Sequence, residues 1–399
     1  MGLPGVKINI ENGGLGRVAT TSDGVAGLVI PAVATTGLPL YTPKQIFTLK
    51  EAETLGLTQD FDTAQKIDAW KQISDFYSEA GNGAELWIMT YTYTKTMTEL
   101  CDVNTTSNGV RKLLDAAMGA IRVFAIGRYI DPTKTYTPVV VGGMDNDSIN
   151  ALQKVNALAL EYMAAYKPFV AIVDGRGWNG IIADLVDLKT YTYPKASLLL
   201  GTNIVGKRSA AVGIALGRAA KIPVQRNIGR VKDGALNVLT GGLTDGRDLL
   251  SFGEAQIQAI HDKGYLVFRN YTQLSGVYFV DDPTATTPSD DFQTVSNNRV
   301  IHKAITIAYR VYLNEVNDEV AITSDGKINP ASIAYLKQII ENALKINMLD
   351  ASEVSAVSVY IDSTQNVIST DQIQLVLRVT PVAYGKNIEI SLGFQNPSV

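Results

Sequence analysis

The stretch GTNIVGKRS at 201–209 sets Gly201, Gly206 and Lys207 at the spacing of a phosphate-cradling loop. In such a loop backbone N–H groups surround a polyphosphate and the lysine reaches its terminal oxygens. A Ser or Thr hydroxyl directly after the lysine then holds Mg²⁺. Here that next residue is Arg208, so the metal-binding hydroxyl is missing. The earlier run FVAIVDG ends in Asp174, where a second metal-site carboxylate would stand. Nucleotide binding at 201–209 is the strongest enzymatic reading of the chain, and it lacks a ligand. Glycines that follow strands also mark ordinary turns.

The other polar clusters are weaker. DGRGW offers Asp174 and Arg176, and GLTDGRD offers Asp245 and Arg247; both read as Gly-rich turns with paired charges. His261 and His302, the only histidines, stand alone on expected helices with no converging metal ligands. Cys101, the single cysteine, rules out an intramolecular disulfide and reads as a small buried apolar residue rather than a nucleophile. GRGWNG is not the G-x-S-x-G elbow of hydrolases. A pair of carboxylates for glycoside hydrolysis stays open, because sequence does not give their separation. No cofactor and no metal is expected.

The elements that would position these residues come from a chain of 399 residues, 46% of them hydrophobic, enough for two or three domains. A net charge of −4 argues against nucleic-acid binding, which needs a clustered basic surface. The N-terminus MGLPGVKINI lacks the pattern of a signal peptide or a myristoylation site, and no apolar run approaches the ~20 residues of a membrane span. Synthesis inside the cell fits this, with no membrane insertion.

From about 40 to 220, expected strands (AELWIMTYTY, IRVFAIGRYI, PFVAIVDG, KASLLLG) alternate with expected helices (43–80 in TPKQIFTLKEAETLGL and DTAQKIDAWKQISDFYSEAG, NGVRKLLDAAMGA, NDSINALQKVNALALEYMAAYK, WNGIIADLVDLK, RSAAVGIALGRAA). Each crossover is long enough for a helix, which implies an α/β layer with parallel pairing. GVAGLVIPAV at 24–33 reads as a buried strand ended by Pro31, and Asp147 or Ser148 as the cap of the helix that follows. Beyond about 235 the texture is α+β. The strand pair YLVFRNY and GVYFVDD precedes two long helices, the second capped by Asn329 with Pro330 at its first position and a stripe of Ile333, Leu336, Ile340 and Leu344. The strands SAVSVYID and DQIQLVLRVT follow.

Each chain end carries a short alternating strand: Val6, Ile8 and Ile10 at the start, Ile388, Ile390, Leu392 and Phe394 at the finish. A strand on an arm presents unpaired N–H and C=O groups, a liability that natural proteins blunt. The economical reading is donation of each strand to a sheet in a neighbouring subunit. Gly13, Gly14 and Gly16, and Gly385 with Lys386, would serve as hinges.

Several segments together are similar to the contractile tail-sheath family, in its Mu-like branch. They are SAAVGIALGRAAKIPVQRNIGRV (209–231), DKGYLVFRNY with GVYFVDDPTATTPSDDFQTVSNNRVIHKA (262–304), and STQNVISTDQIQLVLRVTPVAYGKNIEISLGF (363–394); FYSEAGNGAELWI (76–88) and GLPGVKINI match more loosely. The resemblance implies an α/β plus α+β multi-domain sheath fold with strand-exchanging arms. It implies an N-terminal arm at 1–18, a core domain from 19–35 and 235–383, an inserted outer α/β domain at 36–234, and a C-terminal arm at 384–399. It implies a structural subunit rather than an enzyme, stacked as hexameric rings around an inner tube, with baseplate and tail-terminator proteins as further partners. Assembly would take place in the bacterial cytoplasm, and the product would be a virion tail or contractile injection particle. The contractile stroke would need no ATP. Tube contact would fall to the C-terminal domain, with Lys337, Gln338 and Glu341 on the polar face of helix 331–345 as its candidates; that face also reads as plainly solvated. The alternatives are a nucleotide-binding enzyme using 201–209 and another tail or baseplate component.

Overall fold

In the computed structural model, which describes residues 22–131, 139–386 and 388–389, the centre of the molecule is the strand β1 (Ala26–Pro31), every residue of it buried. An unbroken apolar run is what a parallel strand covered on both faces requires. β1 pairs in parallel with β3 (Leu86–Tyr91) on one side and β4 (Val123–Ile126) on the other. β5 (Val170–Asp174) and β6 (Ala196–Leu199) extend the sheet in parallel, and the short β2 (Lys44–Ile46) closes the far edge antiparallel to β3. The order β2-β3-β1-β4-β5-β6 gives the five parallel strands the 2-1-3-4-5 arrangement of a doubly wound sheet. Pro31 is tolerated because the β1–β4 ladder has already ended at Val29↔Ile126.

α1 (Ala69–Ala80) packs on α3 (Val212–Lys221), and α2 (Asn146–Ala164) and α3 pack against the strands of this sheet. α1 and α3 approach closely because α3 carries Gly213 and Gly217 one turn apart. A Cβ on Gly213 would meet the Gln72 carbonyl oxygen at 2.0 Å, and one on Gly217 would meet that of Phe76 at 2.5 Å. The chain then adds α4 (Glu254–Asp262), the antiparallel pair β7 (Phe268–Tyr271) and β8 (Leu274–Phe279), and the long α5 (Val295–Leu313). Leu266 bridges in parallel to Leu199, and Tyr265 to Phe268 are fully buried, so this part shares the core of the sheet.

Several expectations are corrected here. WNGIIADLVDLK is not a helix but two 3₁₀ turns, Ile182–Asp184 and Leu188–Thr190. α2 is capped by Asp145, not by Asp147 or Ser148; Asp147 instead accepts the backbone N–H groups of Met97 and Thr98 at 3.0 and 2.9 Å. The expected helix preceding Gly81 is broken at Lys66, which takes a left-handed φ of 54°. β1 is the middle of a sheet whose other strands come from 36–234, and the compact units separate after Leu313. A single strand says nothing about which sheet it enters; pairing decides that.

The second unit follows Leu313. Asn329 caps α6 (Pro330–Leu344), accepting the N–H of Ala331 at 2.8 Å, with Pro330 at the first helical position. Ile333, Leu336, Ile340 and Leu344 are buried, as their helical spacing predicts. α6 packs along β9 (Val354–Ile361), which pairs antiparallel with β10 (Leu375–Pro381).

Candidate assembly site

The phosphate-loop residues are spent inside the protein. Lys207 is 2% exposed and its Nζ lies 2.8 Å from the Asp68 carboxylate, which also accepts from Gln72. Asp75 and Asp174 add negative charge beside it, and together these carboxylates hold the Lys207 pKa above its usual value despite burial. Two backbone donors of the loop and three just beyond it have internal acceptors. Gly206 N–H goes to Gly246, Lys207 N–H to Ile204, Ala210 N–H to Asp174 Oδ1, Ala211 N–H to Gly201, and Gly213 N–H to Gln72 Oε1. α3 begins at Val212, five residues past the lysine, so its N-terminus is not where a phosphate cradle needs it.

The carboxyl ends of the parallel strands, the usual ligand crevice of such sheets, are likewise closed by ion pairs. Arg128 meets Asp147 at 2.9 Å and Arg176 meets Asp145 at 2.7 Å, each with a mostly buried carboxylate. Asp174 is fully buried and accepts N–H groups from Arg128 and Ala210; burial pushes its pKa up to about 7 against those two donors. Arg247 pairs with Asp245, reaches the Gly180 carbonyl at 2.8 Å and lies over the Phe252 ring. His261 Nε2 stands 3.4 Å from Asp281, and buried Cys101 has its thiol pKa raised by burial. Among the described residues no group of His, Cys, Asp and Glu could hold a metal ion.

The second unit is different in kind. β9 and β10 form a two-stranded sheet, and among the described residues neither outer edge carries a further strand. Val357, Val359, Leu375, Leu377 and Val379 are half-buried and pair Val357↔Val379, Val359↔Leu377 and Ile361↔Leu375, while Ser358, Tyr360, Val376, Arg378 and Thr380 between them are exposed. Two strands alone are marginal in water. These seven- and eight-residue strands leave apolar side chains only half covered and two long edges of N–H and C=O groups unused.

Of the residues named from sequence, Gln338 and Glu341 are exposed on α6, and half-buried Lys337 has its ammonium 5.9 Å from the Tyr360 ring centre. Gly385 and Lys386 lie outside any helix or strand a few residues past β10, and Ile388 is 83% exposed. Val6, Ile8, Ile10, Gly13, Gly14, Gly16, Ile390, Leu392 and Phe394 lie outside the described residues. Sequence reasoning did not single out the outer edges of β9 and β10; alternation identifies a strand but not which edge stays unpaired. It also missed the inward roles of Asp282 and Asn298. Asp282 Oδ2 accepts the Ser296 N–H at 2.8 Å in the first turn of α5. Asp282 lies 14 residues from the N–H it accepts, so no local capping pattern marked it.

A family model described as "DUF2586, N-terminal domain" matches residues 3–283. The chain belongs to the DUF2586 family. A second model, "DUF2586, C-terminal domain", matches residues 291–399 of the DUF2586 protein, so the two models meet between β8 and α5. No curated protein matches it by sequence. Among solved structures, a chain of the 6-fold symmetrised baseplate of the anti-feeding prophage superposes on the DUF2586 protein with a TM-score of 0.64 at 13% identity, over 99% of each chain. The contracted helical sheath of the same particle gives 0.62 at 13% identity, over 98% of this chain and 99% of that one. The sheath tail protein of Listeria innocua gives 0.53 at 11% identity, over 90% and 92%. At such identities the likeness establishes the fold: the DUF2586 protein shares the fold of these chains nearly end to end.

Proposed function

We propose that this chain is the structural subunit of a contractile sheath, polymerising as stacked hexameric rings around an inner tube and shortening to drive that tube through a target envelope. The observation that carries the reading is the likeness over 98% of the chain to the subunit of a contracted helical sheath. The β9–β10 pair supports it from the side of chemistry. Its open edges suit the alternating strands at 388–394 of one neighbour and 6–10 of another. Four to six main-chain hydrogen bonds at about 0.5–1.5 kcal/mol each, with the half-covered apolar side chains closed over, would hold subunits together. The Gly385–Lys386 turn would let their bodies rotate. Lys337, Gln338 and Glu341 are the tube-facing candidates, baseplate and terminator proteins the partners at the ends, and the bacterial cytoplasm the place of assembly. Lys207, locked to Asp68, is not available for nucleotide in this reading.

Negative-stain electron microscopy of the purified protein tests it. Full-length chain is expected to form striated tubes, and chain lacking 385–399 to stay folded by circular dichroism without forming them. Normal tubes from the truncated chain would end the strand-exchange part; absence of any tubular polymer from full-length chain across salt and pH would end the sheath reading.

A further inference from the structure

The N-terminal half of α5 is tied into the core by polar side chains with named partners. Asn298 Nδ2 donates to the carbonyls of Pro194, Phe292 and Thr294 at 2.8–2.9 Å, and its Oδ1 accepts from Lys195 Nζ at 2.7 Å. Arg299 donates to the carbonyls of Asp23, Ile222 and Pro223, and Lys303 pairs with the Asp23 carboxylate at 2.8 Å. One side chain of this face breaks the rule. His302, one turn beyond Asn298, is 1% exposed, and neither of its ring nitrogens has a hydrogen-bond partner.

The charges that act on that imidazole are all cations: Lys195 from the chain entering β6, Arg122 from the chain entering β4, and Arg299 from its own helix. Lys195 is 1% exposed, with its ammonium 3.7 Å from the Phe292 ring centre; burial pulls its pKa down to about 8, so it remains charged at neutral pH. The nearby carboxylates are engaged elsewhere, Asp23 with Lys303 and Asp290 acting on Lys195. A neutral imidazole leaves one N–H donor and one acceptor nitrogen unmet here. A protonated one would be a fourth buried cation with two N–H donors and no acceptor.

We propose that His302 is an acid-release latch for α5: protonation cannot be accommodated in place, so acid frees this helix from the core. α5 ends at Leu313, the last residue of the first compact unit. The latch does not depend on the sheath reading.

Its linkage has a definite sign. Burial and the three cations hold the His302 pKa well below 6.5 in the folded chain, whereas an unfolded chain titrates near 6.5. Below that pH the unfolded state binds the extra proton, and stability falls by up to about tenfold in the unfolding constant per pH unit; above it there is no contribution. Asp174 and Asp62, pushed up to about 7 and about 6, act in the opposite direction over part of the same range. Only a comparison with a His302 variant isolates the latch.

Urea unfolding of full-length chain, His302→Gln and His302→Met, followed by tryptophan fluorescence from pH 7.5 to 4.5, makes that comparison. The ratio of wild-type to variant unfolding constants should be flat above pH 6.5 and rise about tenfold per unit below it. A ratio flat throughout would overturn the proposal. If both variants fail to fold, the wild type decides alone, because it has only two histidines. With labelled histidine, the His302 ring should stay neutral until amides of 295–313 lose exchange protection. A His302 ring that titrates near 6.5 with those amides still protected would equally refute the latch.

Discussion

Asp174 shows how a residue that looks catalytic is used for support. Its carboxylate accepts the N–H groups of Arg128 at 3.0 Å and Ala210 at 2.6 Å, joining the loop after β4 to the turn before α3. Removing it orphans two donors, each costing about 1–3 kcal/mol when buried. Asp174→Ala should therefore lose about 2–5 kcal/mol in urea unfolding, and Asp174→Asn, which keeps one acceptor, less. With its pKa raised from 3.8 to about 7, the folded state holds the proton more tightly than the unfolded chain. Its contribution is present in acid and is lost as pH rises toward 7. Stability of the Asn variant, measured at pH 4.5 and 7.5, should show a smaller fall than wild type; an equal fall would mean the carboxylate is already ionised in acid.

Among the elements, the α1–α3 contact depends on what is missing from it. Gly213 and Gly217 let the helices meet at backbone distance, and a methyl group at 213 would lie 2.0 Å from the Gln72 oxygen. Helix propensity alone favours alanine over glycine by about 1 kcal/mol, so a simple propensity argument predicts that Gly213→Ala stabilises. The contact predicts the reverse, a loss of about 2 kcal/mol or more from overpacking, read as a lower melting temperature. The small-residue run RSAAVGIALGRAA was legible as a helix, but the partner that demands its glycines lies 140 residues away, in α1. Separation along the chain also hid the neighbours of β1, which pairs Ala26 with Leu86 and Val123.

For the whole molecule the consequence is assembly. If each subunit both gives a strand and receives one, a chain lacking 385–399 can receive but not give. Added in small proportion to full-length chain, it should terminate growth and shorten tubes measured by electron microscopy, with no effect on those already formed. Tube lengths that do not respond to the mixture would indicate that the arms are not the linkage. The open edges of β9 and β10 are what motivates the proposed exchange, since two strands alone are marginal in water.

The sequence by itself determined the local elements wherever a period or a cap was strong. The α6 stripe with its Asn329 cap, the parallel strands of the sheet, the β7–β8 pair and the two strands of the C-terminal unit follow from side-chain alternation and turn chemistry acting over a few residues. It also carried the family resemblance, because the order of several motifs survives in the chain. Only the tertiary structure decided that β1 is the centre of the sheet, that the units divide after Leu313, and that Lys207, Asp174, Arg176 and Arg247 are engaged by Asp68, the Ala210 N–H, Asp145 and the Gly180 carbonyl. Charge pairing and strand neighbours are set by contacts far apart in the chain, and a motif records residue types without recording which way they face.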